Sequence, residues 1–388
     1  MPLKRTRRGV QGRPRRNVID DSKVGVYHVW VRCVRQAYLC GTDPDTGQDF
    51  EHRKAWLFER LEHLARIFAI DACVWAILGS HYHLILRNRP DLVSSWSDEE
   101  VVRRWWMLCP ERKDDEGRAL EPTDLEIRSI LAYPQKVAEY RRRLGSVSCF
   151  MKYINEWFAR RANKEDGARG HFWEERFRAR NLLDEGAILA CSIYIDLNEI
   201  RAELAATPED SPNTSAYRRI LARVLREARA LEDGTASLGD FTDYDPDDPD
   251  FWMCPVNELD RAPLLAPVTA QTNSVENSDT PILTEPTACP AVKPWRHGFL
   301  PVTADQYLEL LDWTGRQLAA GKRGHIDVAY PPILERIGLR PGAWLDMISE
   351  FETWFHGAVG RVEGMVDQAA RTGRNWIQGV RRCRDAFT

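Results

Sequence analysis

The run Gly79-Ser80-His81-Tyr82-His83-Leu84-Ile85-Leu86-Arg87 constrains the fold more than any other part of the chain. Its apolar residues predict a β-strand. Side chains alternate across a strand, so His81, His83 and Ile85 share one face, while Tyr82, Leu84 and Leu86 share the other. Two imidazoles on one rigid face, about 7 Å apart along the strand, can bind one metal ion. The competing reading is a surface histidine pair on a half-buried strand.

The segments on either side place this strand in a sheet. Val24 to Val34 alternates and is rich in β-branched and aromatic residues, which predicts a first strand. His28 lies within it and reads as a buried, hydrogen-bonded histidine. Trp56, Leu57, Leu61, Leu64, Ile67 and Phe68 recur at helical spacing over 53–70. Residues 71–78 form an apolar strand, and Gly79-Ser80 turns it into the histidine strand as a hairpin. Pro90 ends that strand. Ser97 with Glu100 predicts a capping box at the start of a helix holding Val101, Val102, Trp105, Trp106 and Leu108. Residues 110–145 are charged and helical, and the whole stretch from about 91 to 145 reads as an insertion.

An amphipathic helix follows over 147–161. His171 to Arg180 then reads as a strand whose Trp173, Arg176, Arg178 and Arg180 could stack bases and grip a phosphodiester backbone. The alternative is a core Trp/Phe pair with solvated arginines. Asp184 or Glu185 opens the next helix, Ala187 to about Leu204. The order strand, helix, strand, strand, helix, strand, helix predicts an α+β fold on the ferredoxin-like split βαβ plan. One sheet face is then covered by helices, and the other is left open for the histidines.

Charge divides the chain further. The formal net charge is −4, yet residues 1–19 carry seven Lys and Arg and no acid, whereas 231–260 carry ten acids and no Lys or Arg. Without that one acidic segment the charge is +6, so a polyanion partner is allowed. The predicted organisation is a basic arm at 1–22, a catalytic domain at 23–230, an acidic and Pro/Thr-rich linker at 231–298, and a helical C-terminal domain at 299–388. In the arm, Arg5, Arg7 and Arg8 are the candidates for phosphate contacts. The nine cysteines are irregularly spaced with no Cys-x-x-Cys pair, which fits a reduced cytoplasmic protein. No apolar run is long enough to span a membrane.

Tyr194 and Asn198 are four apart on the predicted helix and therefore share a face. Asn198 could complete a metal site begun by His81 and His83. Two imidazoles and an amide oxygen leave positions for a phosphate oxygen and suit Mg²⁺ or Mn²⁺. The Tyr194 oxygen could then attack phosphorus and form a covalent phosphotyrosine. Taken alone, Tyr194 is more simply a packed helix tyrosine.

His81-Tyr82-His83 resembles the His-hydrophobic-His signature of HUH single-strand nucleases. With the run from Gly170 to Phe177 and the later Tyr194-Ile195-Asp196-Leu197-Asn198-Glu199-Ile200-Arg201-Ala202, the chain resembles single-tyrosine HUH transposases. The branch is that of the REP-associated tyrosine transposases, and the resemblance covers roughly residues 24–205. It implies that Tyr194 is the nucleophile, that His81, His83 and Asn198 hold Mg²⁺ or Mn²⁺, and that the substrate is single-stranded DNA with hairpin-bearing ends. A homodimer is compatible with it. Three positions depart from the pattern. Ser80 stands where the family has Asn, Glu199 where it has Pro, and Glu203 where it has Gly. Proline would stop the helix, so Glu199 predicts that it runs on. The rival readings are a non-catalytic, domesticated DNA-binding protein of the same fold and a small-molecule metallophosphoesterase in which Tyr194 is structural.

Overall fold

The computed structural model describes residues 17–34, 39–43, 47–115, 119–232, 247–257, 298–319, 341–374 and 377–387. The arm residues Arg5, Arg7 and Arg8 and most of the expected linker lie outside them. The chain is a mixed α+β protein around one five-stranded sheet, in the order β2-β3-β1-β4-β5.

β1 (Gly25–Arg32) pairs antiparallel with β3 (His81–Asn88) on one side and β4 (Arg178–Leu182) on the other. β2 (Ile70–Ile77) pairs with β3 as the expected hairpin, closed where the Leu78 N–H donates to the His81 carbonyl at 2.8 Å. β2 has a register shift between Ala72 and Val74. This lets Cys73 and Val74 both join one side's core while Ala72 and Trp75 join the other's.

The alternation of each strand divides the core in two. Tyr27, Val29, Val31, Tyr82, Leu84 and Leu86 face α1 (Arg53–Ile67) and the helices up to α6. These are α2 (Pro90–Ser95), α3 (Asp98–Leu108), α4 (Asp124–Leu131), α5 (Pro134–Leu144) and α6 (Val147–Glu165). Ser97 caps α3 as expected, its side chain accepting from the Glu100 N–H. The Glu100 carboxylate, however, receives Arg104 Nε at 2.6 Å.

On the opposite face Val26, Ile85 and Leu182 pack against α7 (Glu185–Asp196). From Gly186 to Asp196 every residue of α7 is buried, as befits a helix wrapped on all sides. Around it lie α8 (Asn198–Arg201), α9 (Ser215–Glu232), α10 (Ala304–Ala319), α11 (Pro341–Ser349), α12 (Phe351–Trp354), α13 (Val362–Arg371) and α14 (Val380–Ala386). The last strand, β5 (Ala358–Val359), pairs in parallel with β4. The described part of 299–388 thus shares the core of α7: Tyr307, Trp344, Met347, Phe351 and Phe355 belong to the same buried cluster as Tyr194. The histidine face is therefore covered, contrary to the open face expected from the sequence. The cause is apolar surface on the C-terminal helices that has nowhere else to be buried.

Two further differences have local causes. The strand expected over 171–180 is broken. The Phe172 carbonyl accepts from Val34 N–H and Glu174 N–H donates to Arg32, but residues 175–177 leave the ladder before β4 begins. Phe177 turns inward, 5% exposed, and Glu175 pairs with Arg178 across the excursion. The helix expected over 187–204 is interrupted at Leu197 (φ −87°, ψ 4°) despite Glu199. The preceding Asp196 is pinned: its buried carboxylate accepts from Ser215 Oγ (2.6 Å), Ala216 N–H (3.1 Å) and Tyr307 Oη (2.5 Å). The chain then ends α8 at Glu203, whose φ is +58°.

Candidate functional site

The strand registers build the site. Trp30 lies opposite His83 on β3, and His28 lies opposite Arg180 on β4. His28, His83 and Arg180 are all 1% exposed or less. The His81 and His83 ring centroids are 5.1 Å apart, edge to face. His28 Nε2 is 2.9 Å from His83 Nδ1, and the two rings stack at 5.1 Å. α7 lays Tyr194 over this pair, its ring centroid 6.1 Å from His83 and 6.5 Å from His28.

Tyr194 is 4% exposed. Phe351 stacks on it at 5.2 Å, and the Arg201 guanidinium lies 4.5 Å from the ring centroid. Burial pushes its phenol above the usual tyrosine range, and the Glu352 carboxylate pushes the same way, while Arg201 opposes both. Burial also lowers the histidines. His81 falls to about 4, with the Arg32 charge adding to the effect and Glu352 opposing it. His28 and His83 fall well below the ordinary imidazole value, burial again leading. All three rings are therefore neutral at pH 7.

Asn198 opens α8 one turn after Tyr194 and is 8% exposed. No hydrogen bond joins it to either histidine of the pair. Its Nδ2 and His83 Nε2 are both buried without a hydrogen-bond partner. Such atoms are costly to leave unpaired, and they sit in the residues expected to hold a metal. An amide Nδ2 is a hydrogen-bond donor and no metal ligand, so of the two orphaned atoms only His83 Nε2, as a lone-pair nitrogen, suits a cation. Among the described residues no group of three or more His, Cys, Asp or Glu side chains is disposed to hold a metal ion.

The residues expected to touch DNA are scattered. Trp173 lies with the core on the far side of the sheet, donating its Nε1–H to the Asn155 carbonyl and packing on Tyr82 and Phe158. Arg180 is buried and turned toward the histidines, so it has no open surface to offer a backbone. Arg176 and Arg178 are exposed, and with Arg32 they bring three cations to a cavity of about 280 Å³ that also touches His81. Glu174, Glu175 and Glu352 line the same cavity.

His28, Arg201, Phe351 and Glu352 complete the surroundings of Tyr194, and sequence reading gave none of them a role in the site. His28 carried a usable signal, since it sits on an alternating strand. Phe351 and Glu352 carried none, because only tertiary packing returns residues 157 and 158 positions after Tyr194 to the same sheet.

No helix among the described residues is long and apolar enough to cross a membrane. No family model matches the chain, and no curated protein matches it. Among solved structures, a REP-associated tyrosine transposase bound to a REP hairpin is similar over 57% of this chain and 90% of that one, at 14% identity and a TM-score of 0.29.

Proposed function

We propose that this chain is a single-strand DNA transposase that cuts and rejoins DNA through a phosphotyrosine on Tyr194. The observation that carries the reading is the seat of Tyr194 over His83, whose ring meets that of His81 edge to face, on the strand face that the sequence motif assigns to the histidines. The β4-β1-β3-β2 strand order supports the ferredoxin-like split βαβ plan for the domain.

His81, His83 and Asn198 would hold the Mg²⁺ or Mn²⁺. A bound ion of this kind polarises the scissile phosphate. The remaining chemistry belongs to the chain. Tyr194 Oη forms the bond to phosphorus and passes its proton to the Glu352 carboxylate, which acts on the phenol. The P–O3′ bond breaks, and the 3′ oxygen leaves and takes a proton to become a hydroxyl. Arg201, over the ring, favours the phenolate. Arg32, Arg176 and Arg178 hold backbone phosphate at the cavity beside His81. Single-stranded DNA with hairpin-bearing ends is the substrate class.

A second reading has its own observation. Tyr194 lies beneath Phe351 and is only 4% exposed. This favours a DNA-binding protein that keeps the fold without cleaving.

One experiment separates them. The full chain and Tyr194→Phe are incubated with labelled single-stranded DNA from the flanks of the coding sequence, with Mg²⁺ or Mn²⁺, and run on denaturing gels. A labelled protein band that needs metal and is lost in Tyr194→Phe is the expected result. Tight DNA binding with no adduct in any condition would replace the transposase reading with the second one.

A further inference from the structure

We propose that Cys254 and Cys73 are a peroxide-sensitive thiol pair, which hydrogen peroxide closes to a disulfide that ties residues 250–257 to β2. Neither Tyr194 nor the histidines take part.

The two cysteines meet because the chain returns to the sheet after α9. Cys254 N–H donates to the Ala72 carbonyl at 2.9 Å, beside the register shift of β2 that brings Cys73 and Val74 into the same core. Arg219 Nη2 donates to the Cys73 carbonyl at 2.6 Å and to the Cys254 carbonyl at 2.9 Å, so the two main chains run side by side. Main chains paired like neighbouring strands hold facing Cα atoms about 4.5–5.5 Å apart, inside the range that a disulfide spans. The side chains face each other as well, with the Cys73 thiol donating to the Cys254 sulfur. Both are free thiols, Cys73 wholly buried and Cys254 6% exposed.

The charges around the pair prepare Cys254 to react. Arg87 Nη2 lies 3.2 Å from its sulfur, and a guanidinium has donors only, so the sulfur accepts. Asp71 divides its charge between Arg87 and Arg89, which leaves Arg87 positive toward the sulfur. Cys383 shows what burial does without such a cation. Burial raises its thiol to about 12, with the Gly360 N–H opposing and Asp184 adding to the rise. Burial works against the Cys254 thiolate too, and Asp71 with it. The Cys73 hydrogen bond and the Arg87 and Arg219 charges outweigh them, so Cys254 ends below the ordinary thiol value.

The Cys254 thiolate attacks one peroxide oxygen. The S–O bond forms and the O–O bond breaks, and the hydroxide that leaves takes up the proton that Cys254 gave to solvent. The Cys73 sulfur then attacks the sulfur of the Cys254 sulfenic acid. The S–S bond forms and the S–O bond breaks, and the departing hydroxide takes the Cys73 proton. Two thiols and one hydrogen peroxide thus give one disulfide and two waters, the sulfurs losing two electrons and the peroxide gaining them. Arg87 also donates to the Gly298 carbonyl at 3.0 Å, so the new bond fastens the point where the chain enters the C-terminal helices.

The test exposes the reduced full chain, freed of reductant, to hydrogen peroxide and follows each cysteine by peptide mass mapping under non-reducing conditions. A linked Cys73–Cys254 peptide that dithiothreitol reverses is the expected product. The Cys254 thiol should disappear roughly tenfold faster than that of Cys383, or more. In Cys73→Ala the Cys254 sulfenic acid has no thiol to resolve it and is trapped by dimedone. The oxidised wild type should unfold at a urea midpoint about 1 M above the reduced one, a shift absent in Cys254→Ala. Cys254 still reduced when the exposed Cys109 is oxidised overturns the proposal. So does Cys254 sulfinic acid beside a free Cys73 thiol, a Cys254 no faster than Cys383, or a link that forms only in urea. These outcomes are read on the wild type and stand even if a variant fails to fold. A link that leaves the midpoint unchanged overturns the tie to β2.

Discussion

Glu203→Gly should stabilise the protein, although it removes a charged surface residue. Glu203 ends α8 with φ +58°, in the left-handed region that disfavours any residue with a Cβ. The bonds around it form a helix-ending motif that usually holds glycine at this place: Leu204 N–H donates to the Glu199 carbonyl at 2.8 Å, and Glu203 N–H to Ile200 at 3.0 Å. Relief of the left-handed backbone is worth roughly 1–2 kcal/mol. Glycine gives back about 0.5–1 kcal/mol through the larger freedom of its unfolded chain. The net backbone gain is about 0.5–1 kcal/mol. Removing an anion from a helix C-terminus adds about 0.3 kcal/mol in the same direction. Urea unfolding of wild type, Glu203→Gly and Glu203→Gln checks this, with Glu203→Gln isolating the charge. At a slope of about 3 kcal/mol/M, the glycine variant should unfold at a midpoint about 0.2–0.4 M higher, with the slope unchanged. A glycine variant no more stable than Glu203→Gln would refute the assignment of strain to this residue.

Three further outcomes follow from other parts of the fold. Gly379 has φ +102°, and a Cβ there would stand 2.7 Å from Phe355 Cδ1 and 2.8 Å from the Trp354 carbonyl, so Gly379→Ala should cost about 2–3 kcal/mol in urea unfolding. Asp71 receives Arg87 Nε at 2.9 Å and Arg89 Nη1 at 3.4 Å in a site where all three are at most 5% exposed, so Asp71→Asn should lose about 3 kcal/mol by leaving buried cations under-compensated. His63 is held down to about 4 by burial, with Arg60 and Arg66 adding to it. The unfolded chain therefore takes up a proton below about 6.5 that the native state refuses, so stability is full above that pH and falls as the pH drops toward 4. The slope from this residue approaches about 1.4 kcal/mol per pH unit, and urea midpoints for wild type and His63→Gln between pH 7.5 and 4.5 should converge as the pH falls. Parallel curves would show that His63 is not the group responsible.

The sequence alone determined the strands and helices whose patterns are local. The alternation of His81-Tyr82-His83-Leu84-Ile85 reports which residues share a face, and the structure places His81, His83 and Ile85 on the α7 side, with Tyr82 and Leu84 on the other. The Gly79-Ser80 hairpin, the Ser97 cap and the helix bearing Tyr194 were legible for the same reason: each depends on residues within about one turn or one strand of each other. What the tertiary structure decided depends on residues far apart in the chain. Arg180 reads as a backbone-gripping side chain in the sequence, and the parity of β4 turns it inward to His28. Trp173 reads as a base-stacking side chain, and the pairing of 172–174 with 32–34 places it against Tyr82 and Phe158 instead. The cover over Tyr194 is the clearest case. Phe351 stacks on that ring because the apolar faces of the C-terminal helices are buried on the sheet, a consequence of summed burial over the whole chain that no local pattern of residues encodes.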